Sequence, residues 1–204
     1  MSLVQIQGNA SGTGTLTVAA PSTNTNRTLT LPDGTGTFTV AGVNSNIVAG
    51  TAQTAPPTTP QYFDFTGIPS WVKRITVIFN GVSTSGTSNY LVQIGAGSVT
   101  STGYLGASLA SQAGASSAAG GTGTSGFVVA DAVSAAYIYN GSLLIQNISG
   151  NIWIQSGTLV ANTAARASVS GGNVTLSGTL DRVRITTQNG TDTFDAGSIN
   201  ILYE

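Results

Sequence analysis

This chain predicts an all-β protein, on three observations. Gly, Ser, Thr and Asn occupy 94 of its 204 positions, a mixture that supplies turns and hydroxyl-bearing pleated surface. Val, Ile and Leu fall in short runs, often alternating with Thr, which is the period of a half-buried strand. No stretch holds apolar residues at i, i+3, i+4 and i+7 without Gly or several β-branched residues intervening, so long helices are not expected.

Residues 1–48 read as a short N-terminal β module. GTLTV (14–18), RTLTL (27–31) and GTFTV (36–40) each alternate Thr with an apolar side chain, and PSTNTN (21–26) and PDG (32–34) are turn material. Three such strands cannot cover both of their faces unaided. They pack on the rest of the chain or on the same strands of other copies. Residues 49–60 read as a linker, since Pro56, Pro57 and Pro60 favour an extended course.

Residues 61–204 are long enough to bury a core. Strands are expected at Tyr62–Phe65, Val72–Asn80, Tyr90–Ile94, Phe127–Ala130, Ala136–Tyr139, Leu143–Ile148, Ile152–Gln155, Asn173–Leu176, Arg182–Thr187 and Ser198–Tyr203. Asn80-Gly81, Asn140-Gly141 and Asn189-Gly190 are hairpin-turn signals. This pattern predicts an antiparallel β-sandwich, with a jelly roll as one candidate topology. ASLASQAGASSAAGGTGTSG (107–126) has almost no large side chains and reads as a long surface loop, or as a variable tip loop used for contact.

Charge is scarce. Lys73 and five arginines face seven acids, for a net charge of −1. That is too few cations for a basic face, so neither nucleic-acid binding nor electrostatic membrane attachment is expected. No apolar run approaches the roughly 18 residues of a membrane span, and the N-terminus lacks the pattern of a secretory signal. A surface so poor in charge fits either a Ser/Thr-rich soluble protein or one that covers much of its surface with copies of itself.

Without Cys or His there is no disulfide, no Ser-His-Asp or Cys-His machinery and no usual zinc site. The remaining enzymatic option is a carboxylate pair, as in glycoside hydrolysis. Its candidates are Asp181, Asp192 and Asp195, with Asp64 and Asp131 more distant in sequence. TDTFDAGS reads first as turn chemistry. No EF-hand spacing exists for calcium. No catalytic, cofactor-binding or metal residue is therefore expected.

Arg182 and Arg184 share one strand face and read as ion-paired, or as a carboxylate- or sugar-binding face; Lys73 and Arg74 read similarly. Trp153 lies opposite its flanking isoleucines, as a core anchor or a stacking platform. Trp71 suits a capping role at the domain edge. Tyr137 and Tyr139 share a face that suits an interface or a receptor-facing strip.

Two segments, FDFTGIPSWVKRITVIFNGVSTSGTSNYLVQIG (63–95) and LDRVRITTQNGTDTFDAGSINILYE (180–204), together resemble the C-terminal domain of tailed-bacteriophage tail fibres and related virion appendages. The strings IPSWVKRITVIFNGVSTSGTSNY and TFDAGSINILYE carry most of that resemblance. GTLTVAAPSTNTNRTLTLPDGTGTF resembles segments of phage fibre and other virion proteins, where such units build trimeric shafts or attachment modules. The resemblance implies a non-enzymatic virion protein made in a bacterial cytoplasm. It implies a homotrimeric short tail fibre whose N-terminal module joins other virion proteins. The C-terminal sandwich would bind a host surface glycan or outer-membrane receptor. A capsid decoration or head-fibre protein is the alternative, and a glycan-degrading tail protein the lesser one.

Overall fold

The computed structural model describes Ser11 and residues 47–55, 60–116 and 118–204. The chain divides into two compact units, residues 1–39 and 40–204. All described residues except Ser11 belong to the second. The strands expected at 14–18, 27–31 and 36–40 lie outside the described residues.

The second unit is an antiparallel sandwich of two unequal sheets. Its strands are β1 (Val48–Ala49), β2 (Gln53–Thr54), β3 (Phe63–Thr66), β4 (Arg74–Thr84), β5 (Tyr90–Ala96), β6 (Ser98–Val99), β7 (Leu105–Gln112), β8 (Ala119–Gly123), β9 (Phe127–Ala130), β10 (Tyr139–Ser149), β11 (Ile152–Ala161), β12 (Arg166–Thr175), β13 (Arg182–Thr187) and β14 (Phe194–Tyr203). The large sheet runs β1-β14-β4-β10-β11-β12-β7-β8, with β2 also on β14. The small sheet runs β3-β13-β5-β6, with β9 also on β5. The β10–β11–β12 meander and the unequal sheets differ from the paired four-stranded sheets of a jelly roll.

Period-two patterning explains most of the core. Ile75, Val77 and Phe79 of β4, Leu143 and Ile145 of β10, and Ile199 and Ile201 of β14 point inward from the large sheet. Val92 and Ile94 of β5 and Val183 and Ile185 of β13 meet them from the small sheet. Aromatic residues fill one end: Tyr90 lies 5.1 Å from Tyr139 and 5.9 Å from Phe194, and Phe194 lies 4.9 Å from Phe63, centroid to centroid. Burial pushes the phenols of Tyr139 and Tyr104 up to about 12, and that of Tyr90 higher still.

Four expectations are corrected. Residues 107–126 are not a loop: most of β7 and all of β8 form a hairpin within them at the far edge of the large sheet. Gly106 and Gly172 face each other beneath the Phe127 ring, where a Cβ on either would lie 3.7 Å and 3.2 Å respectively from its Cδ1. Small residues here let the two sheets approach closely. Ala136–Tyr139 is not a strand; a turn occupies Ala135–Ala136, and β10 starts at Tyr139. Asn80-Gly81 and Asn140-Gly141 are not hairpin turns. They are irregularities inside the neighbouring strands β4 and β10, tied together by the Gly81 N–H donating to Asn140 Oδ1 at 2.8 Å. At the start of the stretch read as a linker and within it, β1 and β2 add to the edge of β14, pairing Ala49 with Leu202 and Gln53 with Ile199.

Candidate functional site

In the small sheet, the outer face carries polar side chains on β13 and at Gln93 of β5, with Leu91 beside Thr186. Register places Asp64 of β3, Arg184 of β13 and Gln93 of β5 side by side across three strands. The Arg184 guanidinium donates from Nε to Asp64 Oδ1 and from Nη2 to Oδ2, each at 2.6 Å. This fork-on-carboxylate geometry is the strong form of the pair. It raises the Arg184 pKa, the Asp64 hydrogen bonds being the largest cause. The same guanidinium lies 3.9 Å from the Tyr62 ring centroid, a cation–π contact.

Two further bonds fix the surround. Gln93 Nε2 donates to the Ser125 carbonyl at 2.7 Å, and Thr186 Oγ1 donates to the Gln61 carbonyl at 3.1 Å. At one end the Gln188–Gly190 turn is held by the Asn189 amide. It donates from Nδ2 to Asp192 Oδ1 at 2.7 Å, while its Oδ1 accepts from Thr187 Oγ1 at 2.9 Å. The result is an open cup of about 490 Å³ lined by Tyr62, Gln93, Ser101, Arg184, Thr186 and Asn189, among others. Tyr62 is 46% exposed at its side. Its one ion pair is internally neutralised, and the remaining polar groups are amides and hydroxyls. Such a surface suits a hydroxylated, uncharged ligand.

The other residues singled out in the sequence fall elsewhere. Asp181 pairs with Arg182, Nε to Oδ1 at 2.8 Å, at the far end of β13, and accepts from the Gly97 N–H. Its pKa is lowered, mainly by the Arg182 hydrogen bond. Asp192 accepts from the Ser88 N–H at 2.9 Å, and Asp195 accepts from the Ser83 hydroxyl. Glu204 pairs with Arg74. Asp131 is buried, with the Arg166 guanidinium 3.9 Å from its carboxylate and donating to its backbone carbonyl at 3.2 Å. Burial raises the Asp131 pKa against the lowering by Arg166. Thus each of the six acids among the described residues has an internal partner. Among the described residues no group of three His, Cys, Asp or Glu gathers to hold a metal.

Trp153 is a core anchor, 3% exposed, whereas Trp71 is 53% exposed with its ring 6.0 Å from Tyr203. Tyr139 is fully buried with Tyr137 packed edge-on at 6.4 Å, so this pair forms no receptor-facing strip. The sequence reading found Arg184 but missed Tyr62, Gln93, Thr186 and Asn189. The alternation Arg182, Arg184, Thr186 was the available signal for the outer face of β13. Compared with protein-family models, curated proteins and solved structures, the chain matches none.

Proposed function

We propose that this chain is a bacteriophage virion structural protein, a short homotrimeric tail fibre that binds a host surface glycan through the cup on the small sheet. The carrying observation is the cup itself, an open concavity lined by Tyr62, Gln93 and an Arg184 whose charge Asp64 neutralises, with hydroxyls and amides around it. Amides and hydroxyls bond sugar hydroxyls, and a tyrosine ring edge gives apolar contact without selecting for charge. The likeness of 63–95 and 180–204 to fibre-tip domains supports the virion setting. The role is one of binding, since the acids are engaged in internal pairs. Weak single-site binding becomes useful through three copies acting together.

A capsid decoration or head-fibre role is the second reading. The exposed apolar side chains of the large sheet favour it, because they could lie against a shell. Gold-labelled antibody on intact virions separates the two: label at the tail end is expected, and label spread over the head overturns the fibre reading. Binding of the purified chain to a panel of bacterial surface polysaccharides tests the cup. Tyr62→Ala and Gln93→Ala are each expected to weaken binding at least tenfold, and undiminished binding in both moves the site elsewhere.

A further inference from the structure

We propose that the outer face of the large sheet, over β7, β10, β11 and β12, is the surface on which copies of this chain pack together. The inference rests on the assembled state proposed above and names the surface that makes it.

Side-chain polarity on β7 and β12 is inverted. Their inward positions carry Ser108, Ala110, Arg166, Ser168 and Ser170, all buried, and an apolar side chain returns only at Val174 near the end of β12. Their outward positions carry Leu105, Leu109 and Val169, exposed to 70%, 57% and 57%. A half-buried strand in water normally shows the reverse alternation. Outward apolar residues on strands with a polar inner layer fit a face that is covered in use.

The face is also free of charge. The only ionisable side chains borne by β7, β8, β10, β11 and β12 are the inward Arg166 guanidinium and the buried phenol of Tyr139. A second copy of the same face therefore brings no charge that would need a partner, as burying one would. Its relief suits self-packing. Leu109 pairs across the strands with Val169, and the next outward pair is Ala107 with Gly171. A ridge thus lies beside a hollow on the same face. The hollow is open: a Cβ at Gly171 would meet only the Gln155 carbonyl, at 3.6 Å. Thr158 and Val160 of β11 extend the surface past Val169 and Ala167.

Its size is sufficient. Four strands about 4.8 Å apart, each rising about 3.3 Å per residue over some eight residues, give on the order of 500 Å², about the per-partner share of the roughly 1,000 Å² total that a specific interface should bury.

The chain has no cysteine, so one introduced thiol reports unambiguously on proximity between copies. Light scattering should give the full chain about three times its 20.4 kDa mass. Leu109→Cys and Val169→Cys should then couple between copies through a short bis-maleimide, while Thr66→Cys, exposed on the small sheet, should not. Adding Gly171→Val, which fills the hollow without crowding its own chain, should cut coupling at least tenfold. If Leu109→Cys misfolds by circular dichroism, Thr158→Cys probes the same face. A single-chain mass overturns both the assembly and the face. An assembled parent whose Leu109→Cys and Val169→Cys couple no better than Thr66→Cys overturns the face alone. A two-chain mass with efficient coupling keeps the face and removes the trimer.

Discussion

In β13, Val183 and Ile185 face the core while Arg182, Arg184 and Thr186 face out; in β12, Arg166, Ser168 and Ser170 face the core while Ala167 and Val169 face out. Both strands alternate at period two and both sit in the same sandwich. The difference lies in what covers them. The inner side of β13 meets the large aliphatic core, so hydrophobic transfer sets its register. The inner side of β12 lies close beneath β9, where Phe127 rests over the Gly106–Gly172 pair and only small or hydrogen-bonded groups fit. Alternation therefore identifies a strand but does not say which of its faces is inside.

The comparison can be broken most forcefully at Arg166. Truncating it to Ala leaves the buried Asp131 carboxylate without its counter-charge, and a loss of about 3–5 kcal/mol is expected in urea unfolding. Gly172→Ala comes next. Its Cβ would stand 2.7 Å from both Gly106 Cα and the Leu105 carbonyl oxygen, and backbone crowding of this kind should cost about 1–3 kcal/mol. At fully buried Ile185, in the ordinarily patterned sheet, Ile185→Val should cost about 1 kcal/mol by the same measurement. A larger loss there than at Gly172 would reverse the contrast between a roomy core and a tight one.

The smallest effects are electrostatic. Arg184→Ala should change stability by under about 1 kcal/mol, because the pair with Asp64 is partly exposed, yet weaken polysaccharide binding clearly. Two carboxylates should titrate stability in opposite senses. The Asp181 pKa is lowered on folding, so its contribution is present above the unfolded value and lost as pH falls through the folded one. The Asp131 pKa is raised, so its contribution is greatest below the unfolded value and lost as pH rises through the folded one. Asp181→Asn should flatten the acid loss of stability, and Asp131→Asn should remove a limb of opposite slope, in unfolding curves between about pH 2 and 6.

The sequence made the sandwich legible wherever aliphatic alternation was strong. Arg182–Thr187 and Phe127–Ala130 are strands with the bounds expected of them. It failed for β7 and β8 because Ala, Ser and Gly carry little intrinsic strand preference; that hairpin is specified by the Phe127 ring and by pairing with β12. The cup was half legible for a related reason. Arg184 announces itself by alternation, but its partner Asp64 lies 120 residues away in sequence, and only the fold brings them together. The Asn-Gly pairs misled because a positive φ serves a bulge as well as a turn.

Those bulges have a consequence for inheritance. Gly81 and Gly197 sit at φ +66° and +85° on neighbouring strands, and a Cβ on Gly197 would fall 2.3 Å from the Gly81 carbonyl oxygen. Gly141, φ +140°, lies at the irregularity of the next strand, where the Asn140 side chain accepts from Gly81. Three stretches of chain, far apart in sequence, thus share one crease across β14, β4 and β10. A change that straightens one strand leaves the other two bent, so these positions answer to selection as a group, and descendants should keep the crease whole or lose it whole.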